Sequence, residues 1–545
     1  MIEYCKVVYR KLKIEILIFL AILFVAVFFR FHHLDSLPPG LWPDEAANGV
    51  DALKALDSGD FKIFYLANNG REGLFINLQA FSISLLGPNP FALRVVSAII
   101  GTLTILGLYL ITKRLFNWET AAAASYFLAI SFWHVNFSRI GFRAIMLPLI
   151  MVWGFYFLWR GLRNGHLKEF FMAGLIGSVG FYTYFSFRIV PFLALILFWN
   201  YWSYLKKDFT HAKYEFAKNQ LLRGFALTML VIIVVAIPLG IYFYSHPEDF
   251  LKREGRPISI FGQEQPLKEL GASIIKTLAM FNFSGDYNQR HNIPGWPMLS
   301  LPVGVLFVVG FLRELNHWLR RKHGHFSTVH TFLFAWFFIM LLPGFLSTEA
   351  PHALRTIGVL PIVMIFAAKG FGWLIGLITK LHDITDPHLH TDKIMHKKES
   401  RLLVSLTIVA FLTSIGFIEY SRYFKIWAQD PGLDSAFTQK YLDIANYLNG
   451  YRYMPIYILV NEGDVLIDGV PNSAQTIKFL TQTDGSANSA VKGIFYIRPD
   501  QMSELKSWDK FILIPLADNP DLKKTMRSQF LMQPQDYKSF VVYQR

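Results

Sequence analysis

A single cysteine, Cys5, has no partner within the 545 residues, so no disulfide framework organises this chain and its redox compartment leaves no mark. Charge is scarce as well: charged residues make up 17% of the sequence, against 53% hydrophobic and 16% aromatic. A soluble chain of this length would divide into several domains with polar surfaces. Here the mean hydropathy is +0.34, and the composition is that of a polytopic membrane protein. No glycine-rich phosphate loop, His-Glu-x-x-His helix, cysteine pair or obvious internal repeat is present, so soluble nucleotide chemistry has no support. The formal charge of +14 does not indicate nucleic acid, because Lys and Arg sit in short clusters between apolar runs, where a membrane protein keeps its cytoplasmic loops.

What is present is a succession of apolar runs. A bilayer core takes about 20 residues of helix, and spans are predicted to start roughly at residues 14, 91, 119, 142, 170, 189, 222, 297, 326, 356 and 402, about eleven in all. Lys113 and Arg114, Arg160 with Arg163 and Lys168, Lys206 with Lys207, Arg320 to Lys322, and Lys397 with Lys398 fall in alternate connections. The positive-inside rule makes those connections and the N-terminus cytoplasmic. The first run exceeds a signal h-region and reads as a retained helix. Between residues 170 and 199, Arg188 and Pro191 interrupt the apolar run, so one broken unit is an alternative to separate helices. The longest connections, 33–90 and 245–296, then face out. Residues 1–420 form the membrane domain. After residue 420 the composition turns mixed: "YLDIANYLNG" has helical spacing, and "PIYILV", "GIFYI" and "KFILIPL" read as buried strands, which predicts a small extracytoplasmic α/β domain over 421–545.

Directly after the first run comes "LPPGLWPDEAANGV", with Asp44 and Glu45 adjacent and held near the membrane surface by Pro38, Pro39, Gly40 and Pro43. A carboxylate there can accept a proton from an incoming hydroxyl or amine. It can equally cap the amphipathic helix that continues through "VDALKAL". Arg71 and Glu72 follow in the same loop, and Arg94 reads as a snorkelling anchor. Arg139 and Arg143, four residues apart in "RIGFR", would share one face of a helix and offer two forked cations to a phosphate. Arg188 lies at a helix break, and His352 and Arg355 at an outer helix entrance. Charges at membrane depth usually line a cavity or meet a partner, and these cluster on one side. In the second long loop Asp286, Asn288, Arg290, His291 and Asn292 either bind a sugar or phosphate or cap local backbone. The His- and Asp-rich tract 382–396 resembles a metal site by composition only and reads as a solvated linker.

These motifs resemble the GT-C type integral-membrane glycosyltransferases, close to family 39, the protein O-mannosyltransferases and the aminoarabinose transferase of lipid A. The likeness covers roughly residues 14 to 375 and rests on the Asp-Glu pair, "REGLF", "ALRVVSAIIG", "KRLF", "RIGFRA", "GDYNQRHNIPG" and "PHALR". Where relatives often carry Pro, this chain has Gly73. The resemblance implies Asp44 as the base that activates an acceptor, with Glu45 supporting it. It also implies that Arg139, Arg143, Arg188, His352 and Arg355 hold the phosphate of a polyprenyl- or dolichyl-phosphate sugar. Arg71, Glu72, Asp286, Asn288, Arg290 and His291 are then candidates for substrate contact. The expected partners are membrane lipid, that donor, and a protein, lipid or glycan acceptor; no cofactor or metal is expected, and the location is the cell membrane. A non-enzymatic flippase of lipid-linked sugars is the alternative, and it would need polar residues along a path through the whole membrane.

Overall fold

The computed structural model describes residues 2–68, 70–251, 259–320, 324–385, 395–451, 454–463, 466–467, 470–483, 486–507 and 510–544. A helix stands at each expected span. Among the described residues, eight helical segments are long and apolar enough to cross a membrane: Lys11–Phe31, Pro90–Leu115, Arg143–Asn164, Phe185–Asp208, His211–Ser245, Ser327–Phe345, Ile357–Thr379 and Leu402–Gln429. The other three expected spans are shorter or more polar helices. Trp118–Ile130 ends where Ser131 leaves helical geometry, and Leu167–Val179 runs into a 3₁₀ turn at Gly180; at 1.5 Å per residue each covers about 20 Å. Leu301–Arg320 carries Arg313, Glu314 and His317 in its second half. The interruption around Arg188 divides two helices: the 3₁₀ turn Phe185–Ile189 lies between Leu167–Val179 and Val190–Asp208. The tract 386–394 lies outside the described residues.

The two long connections carry their own structure. The first holds the expected amphipathic helix, Pro43–Ser58, then a two-stranded hairpin of Phe64–Tyr65 with Arg71–Glu72, then the helix Leu74–Leu86. Gly73 has a local reason: a Cβ there would lie 2.0 Å from the carbonyl oxygen of Lys62. The second connection contains the helix Pro266–Ala279.

The three strand segments expected after residue 420 are strands. They form a five-stranded sheet in the order Ile494–Ile497, Ile456–Leu459, Ile512–Pro515, Val541–Gln544, Gln533–Asp536. The first three are parallel and the last two antiparallel additions. Ile456–Leu459 and Ile512–Pro515 are buried at every position, as strands covered on both faces are. This region is docked on the first loop. Phe479 packs in one cluster with Leu41, Ala46 and Val50. Thr438 and Thr476 both donate to the carbonyl of Leu41, and the side chain of Gln439 accepts from the amide of Gly40. Gly40 has φ +59° and faces Phe437 so closely that a Cβ would lie 2.3 Å from that residue's carbonyl oxygen, so no other residue fits this contact.

Candidate functional site

A cavity of about 1190 Å³ opens between the first loop, the Phe142–Ala144 segment, the Phe185–Ile189 turn, the 286–291 loop and the 342–355 segment. Ten of the candidate residues line it: Asp44, Arg71, Arg143, Arg188, Asp286, Asn288, Arg290, His291, His352 and Arg355. Positions more than 300 residues apart thus meet at one place. Glu45, Glu72 and Arg139 do not line it.

The adjacent acids divide their duties. The helix Pro43–Ser58 has Trp42 as N-cap, so Asp44 is its second residue and Glu45 its third. Glu45 supplies the cap by accepting from the amide of Trp42 at 3.4 Å. It is fully buried, takes the amide of Gly141 at 2.7 Å and pairs with Arg94 Nε at 3.3 Å. A carboxylate so enclosed meets no substrate, and its expected catalytic place is corrected to a positioning one. Capping also ceases to account for Asp44. Its Oδ1 accepts from Asn68 at 2.8 Å and from Asn472 at 3.0 Å, and its side chain borders the cavity.

The arginines divide likewise. Arg139 has 0% exposure, and its guanidinium donates to the carbonyls of Phe29, His32, His33 and Leu37 at 2.7 to 3.1 Å. Those carbonyls belong to the end of the first helix and the turn after it, where helical backbone acceptors run out of amide partners. Arg139 and Arg143 share no helix: residue 139 follows the helix Phe132–Phe137, and Arg143 begins a 3₁₀ turn. Arg139 is therefore a staple rather than a phosphate ligand. Arg94 is not a snorkelling anchor either; it is buried and donates to the carbonyls of Pro38 and Gly40 at 2.7 and 2.8 Å. Glu72 is buried and pairs with Arg143 at 3.1 Å, so it aims that cation instead of touching substrate.

On the cavity wall, Arg71 pairs with Asp51 and donates to Asn48 at 2.5 Å. Arg188 lies over the rings of Phe185 and Phe250, both at 4.6 Å. Arg355 is held by Ser347 and Glu349. Arg290 stacks on Trp42 with its guanidinium 3.7 Å from the ring centroid, and among the described residues that guanidinium has no hydrogen-bond or ion-pair partner. Burial pushes its pKa down, while Asp44, Asp286 and Glu45 pull the other way.

Asp286 joins two loops. Its Oδ1 accepts from the amide of Asn288 at 2.8 Å, and its Oδ2 accepts from the amide of Ala353 at 2.8 Å and faces His291 Nδ1 at 2.9 Å. Burial raises this carboxyl, but the His291 hydrogen bond, His291 and His352 together hold it below the ordinary 3.8. Burial, then His291, lowers His352 from 6.5 to about 3, leaving it neutral at pH 7. Asp286, His291 and His352 each bring one ligand atom within 4.8 Å of the others, and His352 Nδ1 is buried without a hydrogen bond. One carboxylate and two imidazoles suit a divalent transition metal.

Sequence reasoning missed Trp42, Asn68, Glu349 and Asn472. Trp42 stands beside the acid pair and could have been weighed, whereas Asn472, 428 residues from Asp44, carries no local signal. It also placed the membrane charges on one side only. Buried Glu314 and His330, with partly exposed Lys369, form a second charged group elsewhere.

Residues 74–242 match the model of the dolichyl-phosphate-mannose-protein mannosyltransferase family, a segment that starts after the acid pair and ends before the 286–291 loop. No curated protein sequence matches the chain. Among solved structures, ArnT from Cupriavidus metallidurans in the apo state is similar with 14% identity and a TM-score of 0.56, over 99% of this chain and 98% of that one. The same protein bound to undecaprenyl phosphate is similar at 14% identity and a TM-score of 0.54, over 98% and 97%. The oligosaccharyltransferase AglB from Archaeoglobus fulgidus, in complex with an inhibitory peptide and a dolichol-phosphate, is similar at 11% identity and a TM-score of 0.50, over 92% and 70%. Identities this low speak for architecture. The chain is a multi-pass membrane protein with the fold of the GT-C type membrane glycosyltransferases.

Proposed function

We propose that this protein transfers a sugar from a polyprenyl-phosphate donor to an acceptor on the extracytoplasmic face, with inversion at the sugar carbon. The observation that carries the reading is one cavity in which an acid with a cavity-facing side chain, Asp44, shares the wall with Arg143, Arg188, Arg290 and Arg355. Undecaprenyl phosphate bound to ArnT and dolichol-phosphate bound to AglB support a lipid phosphate as the group these cations receive. The alternating basic clusters support an outward-facing cavity.

In this mechanism the acceptor oxygen or nitrogen attacks the anomeric carbon, the bond from that carbon to the phosphate oxygen breaks, and the acceptor proton passes to Asp44. Asn68 and Asn472 fix the carboxylate by holding Oδ1. The charge gathering on the departing phosphate is met by preplaced guanidinium groups, which need no reorganisation at that moment. Arg290, stacked but unpaired, is the cation best placed to pair bidentately with it. A divalent cation held by Asp286, His291 and His352 would add positive charge beside the same phosphate. A flippase would need polar groups continuing from this cavity through the bilayer. The second charged group lies at the far end of the helix Leu301–Arg320, away from the cavity wall.

The test is mass-spectrometric detection of sugar transfer by purified protein supplied with dolichyl-phosphate mannose or undecaprenyl-phosphate sugars. Transfer by the wild type and its loss in Asp44→Asn are expected. Movement of the donor across a vesicle membrane without any cleavage would replace this reading with the flippase.

A further inference from the structure

The helix Leu301–Arg320 leaves the 286–291 loop at its start and carries Glu314 thirteen residues further on, about 20 Å away at 1.5 Å per residue. Glu314 and His317, three residues apart, lie on one face of this helix, and His330 approaches from the next helix, His325–Phe345. His330 Nε2 lies 2.7 Å from Glu314 Oε2, and His317 Nδ1 lies 3.7 Å from Oε1. All three ligand atoms fall within 4.8 Å of one another. Lys369 stands 3.3 Å from Glu314 Oε1. A Glu-Lys pair alone would balance charge, and it requires no pair of imidazoles around the same carboxylate.

We propose that Glu314, His317 and His330 form a binding site for a divalent transition metal of the zinc class, separate from the outer cavity. The donor set is one carboxylate and two imidazoles, which zinc takes in tetrahedral sites with a water in the fourth position. Glu-x-x-His on one helix completed by a neighbouring helix is a spacing that helical bundles use for metals. Glu314 and His330 are buried, while the His317 side chain is 42% exposed and supplies the entry path. Lys369 marks the carboxylate as a place where positive charge is stabilised. Its ammonium also lies 4.4 Å from the centroid of the Phe116 ring, a second seat for it when a metal takes the carboxylate. Metal binding here adds a tie between two successive helices that Trp318 already links through Thr331 and Phe334.

The experiment uses the full chain in detergent, stripped with chelator and titrated with Zn²⁺ by calorimetry, with metal content read by mass spectrometry. His291→Ala/His352→Ala removes two of the outer cluster's ligands, and adding His388→Ala and His390→Ala disables the His-rich tract 382–396, so zinc that remains bound in this background reports the inner cluster. One Zn²⁺ per chain is expected in that background. Adding His330→Ala should weaken it by about 100-fold or more, and adding Lys369→Met should tighten it about tenfold, because the competing ammonium is gone. Co²⁺ in place of Zn²⁺ should give the visible absorption of a tetrahedral site in the same background, a signature that needs no change in the cluster itself. Absence of both zinc binding and the cobalt spectrum in that background overturns the proposal, as does zinc affinity that survives His330→Ala.

Discussion

Arg139 and Arg143 stand four residues apart and belong to different regions of this molecule. The first is sealed in a shell with Arg30 and Arg94: Arg139 and Arg94 donate to backbone carbonyls at the end of the first helix and the turn that follows, and Arg30 donates to those of Ala26, Leu128 and Ala129. The second lines the cavity beside Arg188, Arg290 and Arg355. Equal residue types therefore do unequal work: the shell holds the shape of the turn that presents Asp44, and the wall turns its cations toward the cavity. Asp44 and Glu45 repeat the contrast with acids, one at the cavity and one in the shell.

The comparison breaks most visibly if a shell arginine turns out to be dispensable. Arg94→Met leaves Glu45 charged and buried without its counter-ion, a change that costs about 3 to 5 kcal/mol. A collapse in yield or melting temperature is expected, and wild-type melting behaviour would show that shell and wall do not differ.

Next in size is Asp44→Asn, which keeps the side chain's shape and can still accept a hydrogen bond from an amide. It should melt near wild type and lose about 100-fold or more in transfer at saturating substrates. A drop of only a few-fold would put Asp44 in the shell with Glu45.

The Arg139/Arg143 pair sharpens the contrast further. Arg143→Ala, combined with Glu72→Gln so that no buried carboxylate is left without its cation, should weaken binding of undecaprenyl phosphate, measured by calorimetry, by about tenfold, with little change in melting temperature. Arg139→Met should do the reverse. Equal effects of the two substitutions on lipid-phosphate binding would erase the distinction.

The smallest effect is one of pH. An unfolded chain takes up a proton at a histidine near pH 6.5, whereas folded His352 resists until about 3. Stability is thus full above 6.5 and falls as the pH drops toward 3. His352→Gln should flatten that part of the melting temperature profile.

Much of the helical architecture is legible because apolar length is a local, additive signal. The acid pair, both long loops and the three buried strands could be read the same way. Which arginine faces inward could not. The spacing of Arg139 and Arg143 implies a shared helical face, and only the turn between the two residues, formed in three dimensions, separates them. Glu45 reads like its neighbour until Gly141 and Arg94, 96 and 49 residues away, are seen on its oxygens. Eleven helix starts were recoverable, but the lengths of Trp118–Ile130 and Leu167–Val179 depend on breaks at Ser131 and Gly180 that hydropathy does not register.

The hydrogen bond from Asn472 to Asp44 gives the site a clock. The donor lies 428 residues after the acid, and at about 5 to 20 residues per second of synthesis it follows by roughly 20 to 90 s. Until then the carboxylate has Asn68 but lacks Asn472, and the turn at Gly40 and Leu41 lacks the contacts from Gln439, Thr438 and Thr476. A nascent chain already threaded into the bilayer therefore carries an unfinished centre, and a chain truncated anywhere before residue 472 never completes it.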